Sequence, residues 1–448
     1  MQWRKNTLAE IRAIKGLIAI AFFNAFNAFG FEFPKAKPED MGMSSDRLER
    51  VSAKIQEYID EDLTPGVETI IVRNGHIVYH KVQGNKRVES NTPLKKNDIF
   101  RIASMTKPIA SVALMTLWEE GRFQLNDPIT KFLPEFETVM VSSVGDASGN
   151  TGELVPPDRM ITVRDLLTHT AGFANSYRGN KKAYREAMGP DRVADNKELI
   201  SRLSKIPLNY QPGTQWQYSI ATSVVGHLVE VISGKNLDQF LKERLFEPLE
   251  MPDTHFYLAK EKVGRLTSQY SPSEKDKKIV LRDPGSEDSR WVSGPKTLFS
   301  GSGGLVSTGQ DYLRFQQMML DGGRLGKTRI LSPTTVSLIL ENHTGDLPLW
   351  LPGPGMGFGL GYGVVVDRGA AATPLSEGSA YWGGAYCTLS WIDPEERILG
   401  ILLTQVRPYS HLNIRRDFQV LTYQAITESY RQEPIHAASI PTKTPKQT

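Results

Sequence analysis

Strand-like sequence lies near both ends of this 448-residue chain, and helical patterns fill most of the stretch between them. Near the start, two β-rich runs flank Asn74-Gly75, which predicts a hairpin with a two-residue turn. Near the end, AYCTLSWIDPEERILGILLTQV indicates two strands around a turn at residues 393–396. Because hairpins pair antiparallel, we predict an α/β (α+β) fold with one antiparallel sheet built from both chain ends. Terminal helices would flank this sheet, and a large, mostly helical domain would be inserted in it.

The sequence also indicates where the parts of the chain begin and end. We assign residues 42–108 and 360–432 to the α/β domain and residues 109–359 to the inserted helical domain. Residues 1–30 resemble a secretory signal peptide, with a retained amphipathic helix as the alternative. Cleavage there would make the protein periplasmic or secreted, and otherwise it would be cytoplasmic. No other stretch is apolar and long enough to span a bilayer, and residues 433–448 are predicted to be disordered.

Composition excludes several classes of function. A formal net charge of +3 is close to neutral for this length, so we expect no nucleic-acid partner. The single cysteine, Cys387, excludes an internal disulfide and a cysteine-based metal site. His76 and His80 share one face of a predicted strand, but two isolated imidazoles are more often surface residues than metal ligands. We therefore expect no metal, and the oligomeric state stays open.

The stretch SMTK, residues 104–107, opens an apolar helical run that ends at Gly121. A spacing of three residues places the side chains of Ser104 and Lys107 on one helix face. Pro108 is tolerated there, because the N–H groups of a first helical turn have no internal partners. A second S-x-x-K match begins at Ser293, but it contains Gly-Pro, which disfavours a helix.

Two interpretations of Ser104 and Lys107 are open at this point. A lysine one turn away can help to remove the serine proton, and a helix start stabilises negative charge on a nearby oxygen. In the plainer interpretation, Ser104 caps the helix and Lys107 lies in solvent. The motif alone favours the plainer interpretation, since S-x-x-K arises readily by chance.

Further motifs follow in order: LLTHTAGF, YSIATSVVGHLVE, GSGGLVSTGQDYLRF, GFGLGYGV and YWGGAYCTLSWIDPEE. As an ordered set they resemble the serine β-lactamase and penicillin-binding-protein superfamily. The closest resemblance is to the class C-like branch, which contains the family VIII carboxylesterases and related acyltransferases. It extends from about Met43 to Tyr430. It implies a β-lactamase/transpeptidase-like fold with a cleft between the sheet and the helical part.

The resemblance implies a role for each matching position. Ser104 matches the acylated nucleophile, Lys107 matches its lysine partner, and Tyr218 matches the tyrosine of the Y-x-N motif. The stretch Trp382-Gly383-Gly384 matches the third motif, K-T-G in the lactamases, on an edge strand beside the cleft. By the same match, the N–H groups of Ser104 and Ala385 would form the oxyanion hole and bind substrate.

Two positions depart from the lactamase pattern. Ile220 stands where the lactamases have Asn, and Trp382 stands where they have Lys or an equivalent donor. A lysine there can pair with the carboxylate of a β-lactam, whereas an indole cannot. W-G-G is instead similar to the esterase branch, which points away from β-lactams and peptide carboxylates.

The resemblance therefore implies a serine carboxylesterase-like hydrolase that acts on a small-molecule ester without a cofactor. Lys107 and Tyr218 would share the proton transfers, and the sequence does not decide which of them is the formal base. The alternatives are an acyltransferase, a weak β-lactamase, a D-alanyl peptidase, or a non-catalytic binding protein on the same fold. A Ser-His-Asp triad with His169 or His227 also stays open, although no G-x-S-x-G occurs.

Two loops rich in aromatic residues, Pro and Gly are candidates for the walls of the substrate pockets. They cover residues 173–189 and 346–359, and the second contains Trp350 and Phe358. Loops that line a cleft vary while the scaffold persists. We therefore expect Trp350 and Phe358 to influence the preferred chain length of the ester.

Overall fold

An eight-stranded antiparallel sheet is the centre of the computed structural model, which describes residues 31–142, 152–175, 180–189 and 193–431. The signal-like segment at residues 1–30 and the predicted tail at 433–448 lie outside the described residues. In chain order, the strands of the described part are β1 Gly66–Arg73, β2 His76–Arg87, β3 Thr92–Pro93, β4 Phe100–Arg101, β5 Val141–Ser142, β6 Leu154–Val155, β7 Gln269–Pro272, β8 Ile279–Asp283, β9 Val306–Ser307, β10 Arg324–Leu325, β11 Thr328–Arg329, β12 Met356–Phe358, β13 Gly363–Val365, β14 Ala380–Gly383, β15 Leu389–Asp393 and β16 Ile398–Leu403.

The large sheet has the order β12-β13-β14-β15-β16-β1-β2-β3, so strands from both ends of the chain meet in its middle. The seam is the antiparallel pairing of β1 with β16, which runs from Glu68 opposite Leu403 to Arg73 opposite Ile398. The fold predicted from the two hairpins is therefore confirmed. Short two-stranded pairs (β4-β9, β5-β6, β7-β8 and β10-β11) make up the rest.

Helices lie on both faces of this sheet and fill the stretch between the two strand groups. In chain order, the α-helices of the described part are α1 Ser45–Asp60, α2 Thr106–Glu119, α3 Val163–Leu167, α4 Lys181–Met188, α5 Asn196–Leu203, α6 Ala221–Ser233, α7 Leu237–Leu241, α8 Arg290–Ser293, α9 Gly309–Leu320, α10 Pro333–Leu340 and α11 Ile414–Tyr423. A π-helical turn, Lys242–Phe246, continues α7.

The terminal helices α1 and α11 share one apolar core with the sheet. Leu48 and Val51 of α1 and Phe418 of α11 pack in a single cluster with Ile71 and Trp391 of the strands. Successive side chains of a strand point to opposite faces, so the residues next to Ile71 and Trp391 in their strands point to the face of the sheet away from α1 and α11. There α9 covers the sheet, and Gln316 donates to Ser390 of β15 at 2.8 Å.

Local signals in the sequence place most of these boundaries within a few residues. Asn74 and Gly75 form the predicted two-residue turn, both with positive φ (49° and 76°). The capping residue of α1 is Ser44, one position before Ser45, the cap that the pattern indicates. Helix α3 begins after its predicted cap Thr162 but ends at Leu167, well before Gly172.

The described residues from Lys35 onward form one compact unit, and residues 31–34 do not belong to it. The division into an α/β domain and an inserted helical domain stays a prediction. Within the described part of the chain, no helix combines the length and the apolar character that crossing a membrane requires.

Candidate active site

Ser104 lies in a tight turn at the start of α2. A 3-10 turn, Ala103–Met105, carries the serine and leads directly into the helix. Ala103 has a left-handed backbone (φ 44°), a strained conformation of the kind that concentrates at functional sites. The hydroxyl of Tyr312, from α9, donates to the Met105 carbonyl at 3.0 Å and so fixes the turn from behind. The predicted helix start near Ser104 is thus close to the observed one.

Two donors converge on the Ser104 hydroxyl oxygen. The Tyr218 hydroxyl donates to it at 2.7 Å, and the Lys107 amine donates to it at 3.2 Å. Lys107 is only 3% exposed, and its amine also donates to the Ser302 carbonyl at 2.7 Å. The interpretation that places Lys107 in solvent is therefore wrong. The structure brings these three sequence-predicted residues together.

The packing of α2 against α6 produces this arrangement. Tyr218 stands just before α6, and the amide of Asn175 donates to its carbonyl at 2.9 Å. Between the two helices runs the loop that contains Ser302. Its neighbour Gly301 leaves no room for a side chain, because a Cβ there would lie 2.5 Å from the Thr222 carbonyl oxygen of α6. The close approach of this loop holds the Ser302 carbonyl against Lys107.

Aromatic rings surround the other side of Tyr218. We call the rings of Trp216, Tyr218, Phe358 and Trp382 the aromatic wall. Centroids of neighbouring rings lie between 5.2 and 6.4 Å apart, distances typical of favourable aromatic pairs. Of the two residues expected to influence chain length, Phe358 is fully buried in this wall. Trp350 extends it outward, 44% exposed and 6.0 Å from the Trp216 ring.

His169 packs behind the aromatic wall and does not bond to Ser104. Its ring centroid lies 4.9 Å from that of Tyr218, and its Nδ1 accepts from the Ser219 N–H at 3.4 Å. Burial, assisted by the charge of Lys107, holds the pKa of His169 well below its usual value of 6.5. His227 pairs with Glu230 at 2.8 Å. Within the described residues, neither histidine is hydrogen-bonded to the nucleophile as a triad requires.

The third motif ends β14 at the side of the cleft, but β14 is not an edge strand. Two further strands, β13 and β12, lie outside it in the sheet. However, β13 pairs only with Ala380 and Tyr381, so Trp382 and Gly383 have a strand neighbour on the β15 side alone. The segment between β12 and β13 does not pair with these two residues, and its Gly361 N–H donates to the Leu167 carbonyl at 3.1 Å. The prediction that the third motif lies on an edge strand is therefore wrong for β14 as a whole. Trp382 and Gly383, however, lie at a local edge of the sheet.

Gly384 brings the third motif against the nucleophile turn. A Cβ on Gly384 would lie 2.3 Å from the carbonyl oxygen of Ile102, two residues before Ser104. Ala385 packs against the apolar cluster that contains Ala103. The predicted oxyanion donors, Ser104 and Ala385, thus belong to two segments in direct contact.

One contact of the site could not be found from side-chain patterns. The Ser302 carbonyl holds Lys107, yet a backbone oxygen has no residue signature. The only hint was the glycine-rich stretch GSGG, which permits a close backbone approach. Ile220, which stands where the lactamases have Asn, is the N-cap residue of α6, and its side chain makes no capping hydrogen bond.

The two histidines of the first hairpin have separate partners. His80 Nε2 lies 2.7 Å from Glu68 Oε1, and His76 Nδ1 lies 3.0 Å from the Asn74 carbonyl oxygen. Burial lowers the pKa of His80 to about 4 and raises the pKa of Glu68. Across the described ranges, no group of three or more His, Cys, Asp or Glu residues could hold a metal ion.

Comparisons with known proteins agree with this architecture. A family model described as Beta-lactamase matches residues 51–424. Protein Rv1367c of Mycobacterium tuberculosis (strain ATCC 25618 / H37Rv) is 33% identical over 382 residues, which are 81% of this chain and 90% of that protein. Esterase EstB of Burkholderia gladioli is 28% identical over 373 residues, 79% of this chain and 89% of that protein.

A solved structure is similar to this chain over most of its length. The structure of "EstCE1, a hydrolase with promiscuous acyltransferase activity" matches with a TM-score of 0.70 at 26% identity, covering 84% of this chain and 99% of that chain. The family model spans well over half of the sequence, and the sheet and helices agree with it. The chain belongs to the beta-lactamase family.

Proposed function

We propose that the chain is a serine hydrolase that cleaves carboxylic esters through an acyl-enzyme on Ser104. One observation carries the proposal: the Tyr218 hydroxyl and the Lys107 amine lie 2.7 and 3.2 Å from the Ser104 hydroxyl oxygen. A serine hydroxyl becomes an effective nucleophile when an adjacent group takes its proton. Membership of the beta-lactamase family and the identity to esterase EstB support the same reaction.

The proposed reaction has two halves. In the first, Ser104 Oγ attacks the carbonyl carbon while its proton passes to the Tyr218–Lys107 pair. The pair then protonates the alcohol oxygen as its bond to the acyl carbon breaks. In the second half, water gives a proton to the pair and attacks the acyl carbon. Ser104 recovers its proton as the carboxylic acid leaves, so no redox step or co-reactant is involved.

The negative oxygen of each tetrahedral intermediate needs donors that are already in place. We assign this role to the N–H groups of Ser104 and Ala385. A single such donor is typically worth about 3 kcal/mol of transition-state stabilisation. The contact between Gly384 and the nucleophile turn supports this assignment, because it holds the two donor segments together.

The aromatic wall favours a neutral, apolar substrate. Trp382 is 4% exposed and occupies the position where a lactamase has a cation. An indole cannot form an ion pair with a carboxylate, and rings favour apolar groups by burying apolar area. We therefore propose esters with apolar acyl or alcohol groups as substrates, and we expect slow turnover of β-lactams and peptides that carry a carboxylate.

Acyl transfer to an alcohol is the second candidate. The solved relative EstCE1 is named as a hydrolase with promiscuous acyltransferase activity. Transfer differs from hydrolysis only in the nucleophile of the second half, an alcohol in place of water. The two activities therefore share Ser104, Lys107 and Tyr218 and differ in the products formed when an alcohol is added.

The test combines three probes with one matched pair of variants. The protein is incubated with p-nitrophenyl butyrate, a chromogenic cephalosporin and a fluorophosphonate probe, and the labelled serine is mapped by mass spectrometry. We expect rapid ester turnover, slow cephalosporin turnover and labelling of Ser104. The Ser104→Ala variant should lose turnover and labelling, whereas Ser293→Ala, in the other S-x-x-K stretch, should keep both.

Each alternative has its own outcome. Full esterase activity in Ser104→Ala, or labelling at another serine, would refute the mechanism. Cephalosporin turnover that exceeds ester turnover would assign the protein to the lactamases. With methanol or a longer alcohol added, a new ester formed in place of the acid would identify acyl transfer as the main activity.

A further inference from the structure

Arg415, in the first turn of α11, reaches the strand end that carries the third motif. Its Nη2 donates to the Gly384 carbonyl oxygen, and its Nη1 donates to the Tyr409 hydroxyl at 2.5 Å. The guanidinium also stacks on the Tyr409 ring, 4.0 Å from the ring centroid. The ion pairs of the described residues do not include Arg415. This cation therefore directs its donors at uncharged groups, which are these two oxygen atoms and the buried Cys387 thiol.

The Gly384 carbonyl and the Ala385 N–H are two ends of one peptide group. A peptide group is planar, so a donor that fixes the direction of the carbonyl also fixes the direction of the N–H. Hydrogen bonds in a chain polarise one another, so a cation on the carbonyl makes the N–H a stronger donor. The Cys387 N–H donates to the same carbonyl at 3.2 Å, which gives this peptide group a second anchor.

We infer that Arg415 is a positioning residue that orients and polarises the Ala385 N–H for the developing oxyanion. The inference rests on the proposed function, in which that N–H stabilises the negative oxygen. Arg415 acts through the peptide group and does not need to touch the substrate. It is in place before the reaction, so its effect grows only as negative charge appears in the transition state.

At each of the two glycines of the third motif, a side chain would collide with a different neighbour. At Gly383 that neighbour is Arg415. A Cβ on Gly383 would lie 2.9 Å from Arg415 Nη1 and 3.0 Å from its Cζ. A side chain at that position would push the guanidinium off the strand. Gly384 makes room for a different neighbour, the Ile102 carbonyl. The missing side chain at Gly383 therefore lets the guanidinium approach the backbone.

The first test measures ester kinetics. Arg415→Ala should lower kcat for p-nitrophenyl butyrate by about 10- to 100-fold and change KM by less than about threefold, because only the transition state carries the charge. Ethylguanidine added to Arg415→Ala should restore part of kcat, and Arg415→Lys should retain more activity than the uncharged Arg415→Gln. The matched control is Arg416→Ala. The Arg416 side chain, next to Arg415 in the sequence, is exposed, so this variant should behave like the wild type.

The second test measures the rate at which the fluorophosphonate probe modifies Ser104. This reaction also builds negative charge on an oxygen, so Arg415→Ala should slow it, and ethylguanidine should accelerate it again. If the wild type is labelled at Ser104 but turns over no ester, the proposed function fails, and slower labelling of Arg415→Ala still supports the inference.

Other results overturn the inference. Equal kcat in the wild type and Arg415→Ala, or a loss confined to KM, would refute the role of Arg415 and leave the proposed function intact. A loss that ethylguanidine does not reverse and that tracks a lower Tm would reduce Arg415 to a structural residue. If Arg415→Ala does not fold, the comparison of Arg415→Lys with Arg415→Gln decides: equal kcat would overturn the inference.

Discussion

At the level of single residues, burial decides which groups near Ser104 can take part in proton transfer. His169 has the chemistry of a general base, but it is buried behind Tyr218, and its pKa is held well below 6.5 by burial and by the charge of Lys107. Its ring contacts the rings of Tyr218 and Phe358. We therefore expect His169 to support Tyr218 by packing and to stay neutral across the working pH range.

Exchanging His169 for Asn separates packing from proton transfer. Asn tolerates the left-handed backbone of this position (φ 60°), so the change removes the ring without straining the chain. An aromatic pair is worth about 1 kcal/mol, so kcat/KM should fall about fivefold. The inflections of the pH–rate profile should stay where they are in the wild type. A loss of 100-fold or more, as expected for a general base, or a shifted inflection, would contradict this role.

At the level of elements, the aromatic loop at residues 346–359 contributes one buried and one exposed ring. Phe358 is fully buried in the aromatic wall, so its exchange for Ala would open a cavity and lower stability by about 3 to 5 kcal/mol. Trp350 lies at the outer end of the wall, 44% exposed. Trp350 is therefore the better probe of substrate preference, because its removal leaves the core intact.

Trp350→Ala should weaken the preference for long esters. If the ring covers the far end of an apolar chain, its loss removes contact area that only long substrates use, at about 0.8 kcal/mol per buried CH₂. The ratio of kcat/KM for p-nitrophenyl octanoate to that for the acetate should fall by about 5- to 30-fold. The matched control is Leu351→Ala, in the same loop and 48% exposed. An unchanged ratio across the C2–C8 series would exclude Trp350 from the pocket.

Side-chain patterns predict some parts of these elements and cannot predict others. Helical spacing predicts that Ser104 and Lys107 share one helix face, but their pairing as a catalytic unit, like the role of Tyr218, came from the resemblance of the ordered motifs. The Ser302 carbonyl and the Arg415 contact to Gly384 depend on how distant segments pack, which leaves no local signal. For the same reason, the sequence did not show that β13 stops short of Trp382.

At the level of the whole molecule, the closure of the sheet by the two chain ends and its flanking by the terminal helices could be predicted, whereas the packing of α9 on the other face could not. The hairpins identify the strands because β-branched runs flank clear turn residues. The seam strand β16 is buried at every position, Ile398 to Leu403, since helices cover both faces. A strand buried on both faces shows no alternation, so its sequence does not tell which helices will pack on it.

Histidines whose pKa is lowered by burial occur in several parts of the described molecule and make its stability depend on pH. Burial is the main cause that lowers the pKa of His80, in the sheet, and of His255, in the loop against β9, to about 4 each. The pKa of His169 behind the active site is lowered in the same way. In the unfolded chain each imidazole returns to a pKa near 6.5.

The consequence for folding can be tested with His255→Gln. The unfolded chain binds a proton at His255 below pH 6.5, whereas the folded chain does so only near pH 4. This stability is present above pH 6.5 and is lost as the pH falls toward 4, by about 2 kcal/mol between pH 7 and pH 5. In urea unfolding at several pH values, His255→Gln should therefore lose about 2 kcal/mol less than the wild type over that interval. The difference at pH 7.5 measures the lost packing together with the lost contact to Lys262 Nζ, which lies 2.9 Å from His255 Nε2. Parallel curves for the two proteins would show that His255 is protonated alike in both states.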